Sequence, residues 1–205
     1  FGVPDLTWGT ATKSNIGFDL GLFDALNITV DYFTELRKDI FMQRKIFPET
    51  SGFQNAPYAN FGKVFNRGFD ASLTFNKAFS RDTYLSLMGN FTYAHNTILE
   101  YDEAAGIVGT TRARTGNSIN QNYGLVSLGL YTDDDFLDPS SGSLKPGIPV
   151  PSWNRVKPGD IKYMDQNNDG VINDEDVTAI GGSSVPEIVY GFGFSFRHKG
   201  FDISA

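Results

Sequence analysis

The sequence predicts an all-β chain, a piece of a large antiparallel barrel whose strands cross a membrane. Three observations carry that expectation. Apolar and polar residues alternate with period two, over runs well beyond the usual strand of about 5–6 residues. The apolar sides of these runs are aromatic, in a chain with 18 Phe and 9 Tyr among 205 residues; aromatic residues favour strands. Tight turns and very long links alternate between the runs.

The first run is residues 16–23, "IGFDLGLF", with Ile16, Phe18, Leu20 and Leu22 opposite Gly17, Asp19 and Gly21. The next is "LNITVDYFTELRKDI", residues 26–40. It sets Leu26, Ile28, Val30, Tyr32 and Leu36 against Asn27, Thr29, Asp31, Glu35, Arg37 and Asp39. At helical spacing the two sets mix; at strand spacing they separate. Residues 68–79 place Phe69, Ala71, Leu73 and Phe75 together. Residues 83–96 do the same with Leu85, Leu87, Gly89, Phe91 and Tyr93. Residues 187–200 align Ile188, Tyr190, Phe192, Phe194 and Phe196, and a last strand begins with Phe201 and Ile203. One apolar face and one Gly/Ser/Asn/Asp face suit strands that meet lipid outside and a wet lumen inside. A large soluble β-sandwich or lipocalin-like barrel would turn the same apolar face inward.

Short connections join the strands near residues 23–26, 77–82 and 197–201, where Gly200 suits a turn needing positive φ. Long links cover 42–61 and 100–186. Short turns at one end and long loops at the other match short periplasmic turns and long extracellular loops. Parity then requires that 100–186 hold no spanning strand or two. Its one candidate, "NYGLVSLGLY" (122–131), alternates poorly, so 100–186 is expected to be one long extracellular excursion. Loops of such length are usually functional.

Composition excludes several classes. With 17 Lys+Arg against 24 Asp+Glu, the net charge is -7, which opposes a nucleic-acid partner. There is no Cys, so neither a disulfide framework nor a thiolate metal site is possible. No apolar run reaches the length of a transmembrane helix, and "FGVPDLTWGT" has no signal-peptide character. Both ends read as cut, and the chain is expected to be a fragment of a larger protein. No catalytic residues are expected. No G-x-S-x-G elbow occurs, "GFGFSF" opens no helix, and the two histidines, His95 and His198, are far apart. Each is expected at a strand end. No organic cofactor is expected.

One motif stands apart: "DQNNDGVINDED", residues 165–176. It fits the twelve-residue oxygen-ligand loop for calcium. Asp165, Asn167 and Asp169 take positions 1, 3 and 5, with Gly170 at the sharp turn. Val171 offers its carbonyl, Asn173 follows at position 9, and Asp176 stands at 12 where Glu is usual. A hard cation needs six to eight oxygens, and this spacing wraps them around one point. An ion-free Asn/Asp/Gly turn is the alternative. The expected ion is structural Ca2+, bracing a loop with no core of its own.

Three phrases resemble the SusC/RagA family. They are "VDYFTELRKDIFM" (30–42), "FGKVFNRGFDASLTFNKAF" (61–79) and, most specifically, "PGDIKYMDQNNDGVINDEDVTAIGGSSVPEIVYGFGFSFRHKGFDIS" (158–204). The resemblance runs from about residue 5 to the end. It implies a TonB-dependent transporter in the outer membrane of a Gram-negative-type bacterium, with a 22-stranded barrel in the whole protein. It further implies a SusD-like surface lipoprotein as lid, the TonB complex as energy source, and an oligosaccharide or oligopeptide as cargo. The plug, the TonB box and the terminal strand are absent from the sequence. A structural or adhesive outer-membrane barrel without transport is the alternative. Aromatic residues in the links are candidates for contact with substrate or lid: Phe47, Phe53 and Tyr58 in the loop 41–61, and Tyr123, Tyr131 and Trp153 in 100–186.

Overall fold

The structure is a computed structural model and describes residues 6–46, 52 and 55–205. The chain divides into two compact units, residues 1–102 with 185–205, and residues 103–184. Four long strands come first: β1 (Thr10–Leu22), β2 (Leu26–Gln43), β3 (Tyr58–Ser80) and β4 (Thr83–Glu100). Eight short ones follow: β5 (Gln121–Gly124), β6 (Ser127–Leu130), β7 (Phe136–Asp138), β8 (Ser143–Leu144), β9 (Val150–Pro151), β10 (Ile161–Tyr163), β11 (Val171–Ile172) and β12 (Thr178–Ser183). The chain closes with β13 (Ile188–His198) and β14 (Phe201–Ser204).

The first unit is one antiparallel sheet in the order β1-β2-β3-β4-β13-β14. Its register lines up the two faces read from the sequence. Phe18 opposes Val30, Val30 opposes Ala71, Ala71 opposes Phe91, and Phe91 opposes Tyr190. Asp19, Thr29, Ser72, Asn90 and Gly191 form the neighbouring polar row. A one-residue slip would put every apolar side chain on the wrong face. Phe69 adds ring contacts along the apolar face, 5.4 Å from Phe91 and 5.9 Å from Tyr93.

The tight turns all lie at one end of this sheet, since Leu22 pairs with Leu26, Ser80 with Thr83, and His198 with both Phe201 and Thr83. In the last turn Lys199 and Gly200 have φ of 45° and 89°, the pair of positive values a two-residue hairpin prefers. β3, at 23 residues, is about twice the length a tilted strand needs to cross a bilayer core.

β2 departs from the expected pattern near its end. Its register shifts between Arg37 and Ile40, and Asp39 has φ of 54°. Asp39 therefore sits in a bulge and not on the regular polar face, because an extra residue in one strand breaks the alternation locally.

Residues 103–184 form the second unit, inserted between two strands that pair directly, β4 and β13. Its strands make four two-stranded pairs: β5 with β12, β6 with β10, β7 with β8, and β9 parallel to β11. "NYGLVSLGLY" is split between β5 and β6, which pair with different partners. That is why one alternation does not run through it. A small core holds Tyr131, Phe136 and Val156, flanked by Leu144 and Ile148. Lys162 supports it from above the Tyr131 ring, 5.7 Å from the centroid, while bonded to Asp135 at 2.6 Å.

Candidate functional site

The loop 165–176 is shaped by its own side chains. Asp165 Oδ1 accepts from the backbone N–H of Asn168 and Asp169 at 2.6 and 3.3 Å, and its Oδ2 from Gly170 at 2.8 Å. Asn167 Oδ1 accepts from Asp169 N–H, and Asp169 Oδ1 from Val171 N–H. These bonds wind the first half of the loop around Asp165. Gly170, at φ of 84°, provides the sharp turn. Asn173 caps the short 3-10 helix Asp174–Asp176 by accepting from Glu175 N–H. Asp176 is fully buried and joins the two ends, accepting from Gln166 N–H at 2.7 Å and Asn173 N–H at 2.8 Å.

The backbone leaves one carbonyl aimed differently from its neighbours. Gly170 and Ile172 give their carbonyls to Val150 N–H and Ser152 N–H of the β9 segment. Successive carbonyls alternate in a strand, so Val171 directs its own to the other side. The expected donor set Asp165, Asn167, Asp169, Val171, Asn173 and Asp176 is thus made of oxygen alone, which suits a hard divalent cation. Among the described residues no three His, Cys, Asp or Glu converge as a metal cage. Amide and backbone oxygens would have to complete the set. Glu175 was not singled out from the sequence, yet its Oε2 lies 3.3 Å from Asn167 Nδ2, which also donates to Asp169 Oδ2. The clue was present: Glu175 precedes a position where this loop type carries Glu and this chain carries the shorter Asp176.

The aromatic candidates part ways. Phe47 and Phe53 lie outside the described residues. Tyr58 belongs to β3, opposite Gln43, and stacks on Phe41 at 5.1 Å. It is a strand residue and not part of an open loop. Tyr123 donates its hydroxyl to Ala113 O at 2.7 Å beneath the Arg114 guanidinium. Burial pushes its phenol up from the ordinary value. Tyr131 is 2% exposed and packs on Phe136 in the core. Trp153 is 48% exposed, sits edge-to-face on Tyr163, and lines a cavity of about 620 Å³.

Two acidic anchors carried no sequence signal. Asp102, 5% exposed, accepts from Arg44 Nε at 2.9 Å and from the N–H groups of Lys45 and Ile46. The Arg44 bond is the main reason its carboxyl is held below the ordinary value. Burial pushes Glu103 up, but bonds from the Arg114 and Thr115 N–H groups and the Thr115 hydroxyl outweigh it and lower it. The histidines are separate. His95 lies inside β4, not at its end, with Nδ1 2.7 Å from Glu187 Oε1. His198 meets Thr83 at 2.9 Å.

Residues 1–188 match the family of TonB dependent receptor-like β-barrels. Two TonB-dependent receptors of Formosa agariphila are similar along nearly the whole chain. One is 28% identical over 229 residues, covering 99% of this chain and 22% of the relative. The other is 27% identical over 216 residues, covering 98% and 20%. Solved structures of a RagAB peptide importer in closed-closed and open-open states give TM-scores of 0.66 and 0.68 at 24% identity. They cover 100% of this chain and 21% and 20% of theirs; at that identity the likeness speaks for the fold. The chain spans about a fifth of the length of the relatives it matches.

Proposed function

The chain belongs to the TonB-dependent receptor-like β-barrel family, and from that premise we propose that it is a later part of the wall of an outer-membrane importer. The cargo is a large nutrient, an oligosaccharide or oligopeptide, and a SusD-like surface lipoprotein covers the outer mouth. The observation that carries this reading is the aligned apolar face of the six-stranded sheet. On it Phe18, Tyr32, Phe69, Tyr190 and Phe192 stay exposed. A soluble protein does not leave such a contiguous surface in water, whereas a barrel presents it to lipid. The polar face, with Asp31, Glu35 and Arg37, then lines the lumen. The excursion 103–184 lies outside the cell.

In the same reading the loop 165–176 binds Ca2+ as a brace. Asp165, Asn167, Asp169, Val171, Asn173 and Asp176 would hold the ion, which supplies charge neutralisation and no chemistry. Asp176 also closes the loop through Gln166 and Asn173 N–H. Weak, roughly 10⁻⁴–10⁻³ M affinity suffices outside a cell.

The tests are direct. The intact protein should migrate anomalously in detergent gels until heated and should co-purify with a lipoprotein. Recovery as a water-soluble monomer would sink the importer reading. Chelation or Asp169→Ala should speed proteolysis within 165–176 several-fold while heat-modifiability is kept. Unchanged cleavage in calcium and in chelator removes the brace.

A further inference from the structure

Residues 142–148 and 150–156 line an open cavity of about 620 Å³, Trp153 among them, a size common for small-molecule sites. Leu144, Ile148 and Val156 carry its floor, resting on the Tyr131 and Phe136 core. Lys145, Arg155 and Trp153 stand exposed at its rim. No carboxylate side chain lines it, although the chain as a whole has a net charge of -7. Neither cation has an ion-pair partner among the described residues.

The frame is held in shape. A Cβ at Gly142 would lie 2.6 Å from the Val156 carbonyl oxygen, so the two ends of the segment close on each other. Val150 and Ser152 are bonded to Gly170 and Ile172 at 3.0 and 2.9 Å. Pro146 and Pro151 fix φ between these points. A frame set before binding loses little freedom when a ligand arrives.

We propose that this cup binds an acidic saccharide. The apolar face of a sugar ring lies on Trp153, and its carboxylate is met by Lys145 and Arg155, the guanidinium fork matching the two carboxylate oxygens. An acidic peptide fits less well. Peptides gain affinity by adding a strand along an open edge, and the strands here, β8 and β9, are only two residues long, too short to offer a peptide a ladder. The proposal rests on the import reading and names the solute class.

Calorimetry on the intact detergent-purified protein tests it, with trigalacturonate as probe. Binding should weaken at least tenfold in the Lys145→Ala/Arg155→Ala double variant and in Trp153→Ala, with Trp153→Phe retaining most of it. The methyl-esterified trisaccharide and pentaglutamate should each bind at least tenfold more weakly than trigalacturonate. Unchanged protease resistance of 103–184 serves as the folding control for each variant. Absence of binding to the unmodified protein overturns the proposal; so does a double variant that binds normally, or pentaglutamate binding equally well. Binding without uptake into cells removes the import reading and leaves the cup. Heat-modifiable protein that imports another solute but ignores trigalacturonate removes the cup alone.

Discussion

The six-stranded sheet and the excursion 103–184 satisfy their backbones in opposite ways. In the sheet, strands of up to 23 residues pair backbone with backbone, and the apolar side chains remain uncovered. Phe192 is 85% exposed and Tyr190 70%. In the excursion no strand exceeds the six residues of β12, and side chains complete the bonding. Asp165, Asp169 and Asp176 accept from the amides that a ladder would otherwise pair. Five of the seven buried hydrophobic residues among those described, namely Ala113, Tyr131, Phe136, Val156 and Ile172, belong to the excursion. One region depends on its surroundings for apolar burial; the other carries a small core of its own. Perturbations should therefore stay within the region they strike.

The largest effect is expected from Phe136→Ala. Removing a ring from a core this small costs about 3–5 kcal/mol. Hydrogen exchange should accelerate across 103–184 and leave β1 to β4 unchanged; an equal loss in both regions would break the contrast. Gly68→Val strikes the other side. An added Cβ would overlap the Tyr93 carbonyl oxygen and lie 2.6 Å from the Phe33 ring. Overpacking of this kind costs about 1–3 kcal/mol. The heat-modifiable fraction should fall while the excursion keeps its protease resistance.

A smaller, pH-dependent effect sharpens the boundary. The carboxyl of Asp102 is lowered in the folded chain, chiefly by Arg44, so folding favours its ionised form. That stabilisation is complete above the ordinary carboxylate range and is lost as pH falls through the depressed value. The protection factors of the Lys45 and Ile46 amides, taken relative to the intrinsic exchange rate at each pH, should fall on acidification below about pH 4. In Asp102→Asn the protection should already be low at pH 7 and nearly independent of pH.

The faces of the sheet were legible because a period of two survives any amount of tertiary context. Ile16, Tyr32, Phe69, Tyr93 and Ile188 stand in one row because each chose the same side locally. Asp39 was misread because a bulge depends on pairing with β3, and the sequence of β2 alone does not show that pairing. Tyr58 was misread for a related reason: the far end of β2 extends β3 into what looks like loop. In the excursion the cation-loop spacing was visible, but the burial of Tyr131 was not. A loop aromatic and a core aromatic look alike until the chain around them closes. Asp102 and Glu103 gave no signal, since their partners Arg44 and Arg114 lie at separations that obey no local period.

The central claim is that the sheet is a membrane wall with its tight turns inside and its excursion outside. This chain contains no cysteine, so a cysteine placed in it is the one thiol of this stretch, and its labelling is read against the unsubstituted protein. Lys199→Cys, in the turn between β13 and β14, and Ser140→Cys, exposed in the excursion, can be treated in intact cells with a membrane-impermeant maleimide. The account predicts labelling of Ser140→Cys at once, and of Lys199→Cys only after the outer membrane is permeabilised. Labelling of Lys199→Cys in intact cells would contradict it.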